Sequence, residues 1–283
     1  MSEAGSLSLL KADENDPGAF LAEWFERYVN RYRDEQGALP AALELKYRHS
    51  RRVAENASLI AQSLEWNPAE ILLAKGCGLI HDIGRFSQFV RYKSFHDAET
   101  MDHGMEGHRI LQTEQLRTHF DADDWNCLLC AVKYHNKKVS DISEHFPGKA
   151  DSLLRLIRDA DKLDIMDLVL KSIAGNGFRE LPDMLPHIRL DRNVSPGIME
   201  EILNTRTVSV SRLRTVTDFV VMLASWFYDM NYAPTRKLAE DRLLLQRIKE
   251  ALPDTEGMRN MLDDIKNIGS STGGNSIRKE NVS

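Results

Sequence analysis

Hydrophobic residues recur at helical spacing in several segments of this chain. In the segment 43–64, Val53, Ala57, Ile60 and Leu64 form one apolar stripe, and similar stripes lie before residue 81, at 125–132 and at 152–170. Residues three and four positions apart share one face of a helix, so each stripe predicts an amphipathic helix. An apolar group at 20–28 predicts one more helix that covers the core. We therefore predict an all-α protein built as a helical bundle.

The C-terminal part of the chain predicts further helices. Apolar positions from 210 to 227 indicate one long amphipathic helix, and two helical patterns follow Pro234 and Pro253. The segment 175–197 is rich in Gly and Pro and predicts an irregular insertion, either a plain connection or a lid with Arg189 or Arg192 reaching a substrate. We expect a flexible N-terminus at 1–17, a single helical domain at 18–267 with C-terminal helices at 198–267, and a disordered tail at 268–283.

Polar residues stand on the apolar faces of these predicted helices. His49 lies one turn before Val53, and the adjacent pair His81 and Asp82 ends the next stripe. His135 follows the stripe at 125–132, and Asp161 stands in the middle of the stripe at 152–170. Their positions on the apolar faces predict that all of these side chains point inward.

Each of these residues also has a structural explanation when taken alone. A single His on an apolar face is more often a hydrogen-bonded core residue, and Asp161 could pair with Arg155 or Arg158. Every buried polar group left unpaired would cost about 1–3 kcal/mol, and separate partners would be needed on several segments. One metal cluster satisfies all of them together. With His103, at a predicted helix start, the predicted ligands are His49, His81, Asp82, His103, His135 and Asp161.

These residues, in this order, resemble the HD-domain superfamily of metal-dependent phosphohydrolases. The order is a His, a His-Asp doublet and a distant Asp, and the string HDIGR at 81–85 resembles the HDIG subgroup. His103 followed by Gly107 matches the H-x-x-x-G element of such proteins. The strings YHN at 134–136 and RDADK at 158–162 resemble two later elements. The resemblance spans about residues 43–170, the predicted metal-binding core.

The resemblance implies an all-helical core that hydrolyses a phosphate ester with two divalent metals. It implies that His49, His81 and Asp161 complete one metal site and that His103 and His135 form the other. Asp82, adjacent to His81, is expected to bridge the two sites. Arg85 and Lys162 lie close to ligands in the sequence, and we expect them to contact phosphate or stabilise charge. The ligand set does not choose among manganese, iron, cobalt and nickel. We expect the substrate to be a small molecule such as a nucleotide or a related phosphometabolite.

Other reactions remain open on the same ligands. A minority of HD proteins with six such ligands are diiron oxygenases. Cyclic dinucleotide phosphodiesterases of the HD-GYP group carry a second His and a GYP tripeptide after the position of His135, where this chain reads NKKVSDISEHFPG. A non-catalytic HD module would be expected to have lost ligands, which this chain retains.

The composition of the chain limits the classes of partner that we expect it to bind. The chain has 283 residues and a net charge of −6, with 37 Lys and Arg against 43 Asp and Glu, which argues against a long nucleic acid. No run of 18 apolar residues and no secretion signal is apparent, so we expect a cytoplasmic protein without a membrane partner. The three cysteines are expected to be buried free thiols. The stripe at 210–227 is typical of a core or of a homodimer interface.

Overall fold

The computed structural model describes residues 17–138, 141–146, 148–175, 188–189 and 191–271. These residues form α-helices, short 3-10 turns and loops, and the part of the chain described contains no β-strand. The predicted all-α class is therefore confirmed. The helices are α1 (Pro17–Asn30), α2 (Ala41–Ser63), α3 (Pro68–Ile80), α4 (Gly84–Tyr92), α5 (His103–Thr113), α6 (Ala122–Tyr134), α7 (Lys149–Gly175), α8 (Ile198–Thr205), α9 (Val216–Ser225), α10 (Ala233–Asp241), α11 (Leu244–Ala251) and α12 (Glu256–Ser271).

Helices α2 and α7 are central to the bundle. Helix α2 packs against α3 and α7, while α6 packs against α7 and α5 against α6. Helix α1 packs against α3, and its Leu21 and Phe25 are fully buried, so the predicted covering helix is confirmed. One hydrophobic core joins residues from α1 to α12. None of the described helices is long and apolar enough to cross a membrane.

Local sequence signals set the starts of the helices around the site. Helix α3 begins with a capping box in which the Asn67 side chain accepts a hydrogen bond from the Glu70 amide and the Glu70 carboxylate accepts one from the Asn67 amide. The side chains of Asp102 and Asp121 accept hydrogen bonds from the first amides of α5 and α6. These caps fix where each helix begins and therefore which residues stand at its ends.

Gly84 lies at a close contact between two helices. Helix α3 ends at Ile80, and Gly84 begins α4. A Cβ atom on Gly84 would lie 2.1 Å from the carbonyl oxygen of His103. Only glycine permits this close approach of α4 to α5, which brings the His81-Asp82 turn beside His103.

The prediction of one long helix at 210–227 is wrong. Residues Val210–Arg212 form a 3-10 turn, and α9 begins only at Val216, because Thr215 and Asp218 form a capping box that starts a new helix there. Val210 is 60% exposed, so the buried apolar stripe does not include the start of the segment. Between Pro234 and Pro253 the chain forms two helices, α10 and α11, because Leu243 interrupts them with a φ of 54°.

The remaining expectations concern the insertion and the chain ends. Residues 1–16, residues 272–283 and most of the predicted insertion, 176–187 and 190, lie outside the described residues. Helix α12 continues four residues past 267, to Ser271. Arg189, proposed for a lid, forms an isolated parallel bridge with Thr215 through backbone hydrogen bonds with neighbouring residues.

Candidate metal centre

The fold brings all six predicted ligands together. His49 lies on α2, and His81 and Asp82 form the turn between α3 and α4. His103 is the first residue of α5 and His135 directly follows α6. Asp161 lies in the middle of α7, opposite His49. The imidazole rings of the four histidines are almost fully buried.

One half of the centre is formed by His49, His81 and Asp161. The Nε2 atom of His49 lies 3.0 Å from Asp161 Oδ1, and the Nε2 atom of His81 lies 3.7 Å from the same oxygen. Both nitrogens also face Asp82 Oδ2, at 3.6 Å for His49 and 3.8 Å for His81. The Asp161 side chain is 20% exposed, whereas those of His49 and His81 are at most 2% exposed, so this half opens to solvent beside Asp161.

The other half is formed by His103 and His135. Their Nε2 atoms lie 3.1 Å apart and face Asp82 Oδ1, at 3.2 Å for His103 and 3.5 Å for His135. Asp82 thus presents one carboxylate oxygen to each half. This is the placement that the sequence predicts for a bridging ligand.

The second ring nitrogen of each histidine is held by an oxygen atom. Nδ1 of His81 donates to the Gly78 carbonyl and Nδ1 of His135 to the Val132 carbonyl, at 2.7 and 2.9 Å. A carbonyl can only accept, so in these two rings Nδ1 carries the proton and the neutral ring leaves a lone pair on Nε2.

Carboxylates hold the second ring nitrogen of the other two histidines. Nδ1 of His49 lies 2.7 Å from Asp164 Oδ2, and Nδ1 of His103 lies 2.6 Å from Asp97 Oδ2. Metal-binding histidines commonly donate their second nitrogen to a carboxylate or a carbonyl in this way. Each half of the centre therefore has one ring held by a carboxylate and one held by a backbone carbonyl.

The inward-facing atoms fit divalent metals. Nε2 of His49, Nε2 of His81 and Oδ1 of Asp161 are buried without a hydrogen-bond partner, although His49 and Asp161 are close together. Buried polar atoms without partners are rare in native proteins and call for an explanation. A cation between these atoms would satisfy all three, and the groups His49–His81–Asp82 and Asp82–His103–His135 each have the spacing to hold a metal ion.

The charges of the centre also suit a cation. Burial raises the pKa of the Asp82 carboxyl group, but Lys46 and the surrounding imidazoles outweigh burial and hold that pKa well below its usual value. Burial lowers the pKa of His49, yet the carboxylates of Asp161 and Asp164 outweigh it and raise the pKa to about 8. Burial lowers the pKa of His135 to about 4. Burial raises the pKa of the Asp161 carboxyl group, but His49 and His81 outweigh burial and hold that pKa well below its usual value, so two ionised carboxylates face the centre. The proton that the raised pKa places on His49 occupies a position suited to a metal.

Lys46 also belongs to the site, although it is part of no recognised motif in the sequence. Its Nζ lies 2.8 Å from Asp82 Oδ2, and its side chain is only 11% exposed. The signal was present, because Lys46 precedes His49 by three residues and therefore shares its face of α2. A lysine at the start of a helix is usually solvated, however, and only the tertiary contact distinguishes this one.

The loop between α4 and α5 supports His103. Besides His103, Asp97 accepts hydrogen bonds from Arg85, Gln88 and Asn136. Gln88 is fully buried and also donates to the Met101 carbonyl. Asp97 therefore lies behind His103, on the side of the ring that faces away from Asp82.

The two predicted phosphate-binding cations differ in their surroundings. Arg85 lies beside Asp82, with Nε 3.6 Å from Asp82 Oδ1 and without a hydrogen-bond partner, while its Nη1 contacts Asp97. The ammonium of Lys162 donates to the backbone carbonyl and the carboxylate of Asp229. Burial lowers the pKa of Lys162, against the opposing effect of Asp229.

Other basic residues near the ligands have partners elsewhere. Arg52 pairs with Asp164 and Lys133 with Glu144. Arg158 contacts Asp229 rather than Asp161, so it does not provide the pairing that would explain Asp161 without a metal.

The cysteines take no part in the centre. Cys77, Cys127 and Cys130 are buried free thiols, as predicted. Burial raises the pKa of Cys127 to about 11 and that of Cys130 to about 12, which keeps both protonated and unreactive at neutral pH.

One comparison with known proteins found a family that matches this part of the chain. No curated protein and no solved structure matches the chain. The HD-domain family model matches residues 47–166, a segment that contains all six candidate ligands. Residues 47–166 therefore form an HD domain, a family whose members are generally metal-dependent hydrolases.

Proposed function

We propose that this protein is a binuclear metal-dependent phosphohydrolase that cleaves a phosphate ester in a small molecule, such as a nucleotide or a related phosphometabolite. The observation that carries the proposal is the convergence of four imidazole Nε2 atoms on the carboxylates of Asp82 and Asp161. His49, His81 and Asp161 would hold one metal, His103 and His135 the other, with Asp82 shared. Two divalent cations supply Lewis-acid stabilisation of phosphoryl charge and lower the pKa of bound water.

The protein itself prepares the centre for this chemistry. Asp164 and Asp97 hold the rings of His49 and His103, so that little rearrangement is needed when ligands bind. Asp161 lies at the side that opens to solvent, where a small ester could enter. Burial of the remaining ligands limits water and strengthens the electrostatic interactions within the site.

Basic residues favour an anionic substrate. We propose that Arg85, whose Nε is buried and unbonded next to Asp82, contacts the phosphoryl group. Lys162, which directly follows Asp161 in α7 and contacts Asp229 in the structure, is proposed as a charge stabiliser. The same ligands suit a diiron oxygenase, but the cations next to Asp82 favour the hydrolase.

A phosphate-release screen tests the proposal. Protein freed of metal and reloaded with manganese is offered nucleotides and sugar phosphates without oxygen, and inorganic phosphate is measured. Release that depends on the metal supports the hydrolase and excludes an oxygenase, which consumes oxygen. Consumption of oxygen by the iron-loaded protein, with no phosphate release from any ester, would overturn the proposal. If the protein instead converts a cyclic dinucleotide to a linear dinucleotide, its substrates are cyclic dinucleotides.

A further inference from the structure

The ammonium group of Lys46 adds a positive charge inside the centre. Binding of a metal cation does not require this additional positive charge. Its side chain and that of Asp82 are 11% and 4% exposed, and Nζ lies 2.8 Å from Oδ2. Removing an ammonium group from water is costly, and the cost is offset only by a well-placed anion. In the structure that anion is Asp82.

Two other basic side chains near the centre pair with carboxylates that are not among the six candidate ligands. Arg52 contacts Asp164 through two nitrogens, and Arg85 contacts Asp97. Among the described contacts, Asp82 is the one hydrogen-bond acceptor of Lys46. Lys46 thus depends on a carboxylate that the proposed function assigns to the metals.

Metal binding would change the surroundings of this ammonium. Cations held at both oxygens of Asp82 would compensate the charge that Lys46 faces, and they would repel the ammonium at short range. A buried ammonium that loses its counter-charge needs another anion. The carboxylates of Asp97 and Asp164 are already engaged by Arg85 and Arg52.

We propose that Lys46 is a substrate-binding residue whose ammonium contacts a phosphoryl oxygen of the ester, an inference that rests on the proposed function. The ring of Phe95 lies beside both neighbouring cations, with its centroid 5.6 Å from Lys46 Nζ and 5.8 Å from Arg85 Cζ. Lys46 and Arg85 flank Asp82 from α2 and α4, at Oδ2 and Oδ1 respectively. The two cations form a subsite suited to a compact dianion such as a phosphomonoester group.

Binding of inorganic phosphate to the metal-loaded protein tests this role without turnover. Wild type, Lys46→Gln, Lys46→Met and Lys46→Arg are loaded with manganese, their metal content is measured by mass spectrometry, and phosphate affinity is measured by calorimetry. Lys75→Gln is the matched control, because Lys75 lies on α3 and pairs with Glu55 at the surface. We expect Lys46→Gln and Lys46→Met to keep both metals and to lose roughly 10- to 100-fold in phosphate affinity. Lys46→Arg should retain most of the affinity, and the control all of it.

Several results would overturn the role of Lys46. Unchanged phosphate affinity in fully loaded Lys46→Gln would contradict it, and loss of metal from that variant would assign Lys46 to the support of Asp82 instead. If the uncharged variants do not fold, amine labelling of wild type read by mass spectrometry provides the answer. Phosphate should then protect Lys46 in the metal-loaded protein, and equal labelling with and without phosphate contradicts the proposal. Failure of the hydrolase proposal looks different, because wild type would then neither bind phosphate nor release it from any ester.

Discussion

The Nδ1 atom of His49 lies 2.7 Å from Oδ2 of Asp164, although 115 residues separate them in the chain. The contact joins α2 to α7 behind the metal centre and aims the opposite ring nitrogen at Asp161 and Asp82. Arg52 holds the same carboxylate through two hydrogen bonds. The orientation of the candidate ligand His49 on α2 therefore depends on a residue one turn beyond Asp161 on α7.

This relationship predicts that Asp164→Asn weakens metal binding without removing a ligand. The neutral amide cannot match the carboxylate as an acceptor, so the affinity of the His49 half should fall by roughly 10- to 100-fold. Asp97→Asn should have the same effect on the His103 half. Titration with a metal-competing chelator measures both. Asp241→Asn is the control, because Asp241 pairs with the exposed Lys237, and an equal loss in all three variants would contradict the assignment.

His103 and His135 are predicted to define the second metal. Changing either to Ala should lower the metal content from two toward one per chain and cut phosphate release steeply, because each removes one Nε2 ligand from the same half. His119→Ala and His145→Ala serve as controls, since both residues are exposed outside the centre. Equal effects from all four substitutions would show that the ligand assignment is wrong.

The raised pKa of His49 predicts proton release when metal binds. With a pKa of about 8, this ring is protonated in the metal-free protein at pH 7, and a metal at Nε2 must displace the proton. The raised pKa also makes the free energy of unfolding depend on pH. Protonated His49 stabilises the folded, metal-free protein fully below the pKa that a His has in the unfolded chain, and this stabilisation is lost as the pH rises through about 8. Calorimetry in buffers of different ionisation enthalpy should detect about one proton from His49 at pH 7 and lose that component above about pH 9. If the number of protons released on metal binding stays the same from pH 7 to above about pH 9, the assignment of the released proton to His49 is wrong.

Arg85 and Lys162 are predicted to act on the substrate rather than on the metals. Arg85→Ala and Lys162→Ala should keep both metals and lose about 2–4 kcal/mol of transition-state stabilisation, measured as kcat/KM. Arg155→Ala is the control, because Arg155 pairs with Asp151 on the exposed face of α7. Normal kcat/KM in either variant would remove that residue from the site, and for Lys162 would leave its contact with Asp229 as a purely structural one.

The convergence of the six candidate ligands could be predicted because each stands at a regular position of an amphipathic helix or at its end. Their supporting residues could not be derived in this way. Asp164 and Asp97 become partners of His49 and His103 only through tertiary packing, and Lys46 is recognised only by its contact with Asp82. In the C-terminal part, the apolar stripe at 210–227 hides the capping box at Thr215, where local hydrogen bonds outweigh the hydrophobic period.

The metal content of wild type and Asp82→Ala tests the central claim most directly. Both proteins are purified without chelator, offered manganese, iron, cobalt or nickel, and analysed by mass spectrometry, with circular dichroism as the check on folding. We predict two metals per chain in wild type, with at most a trace and no phosphate release in Asp82→Ala at unchanged helix content, because Asp82 offers one oxygen to each half of the centre. A variant that retains two metals and near-normal turnover, or a wild type that takes up none of these metals, would contradict the account.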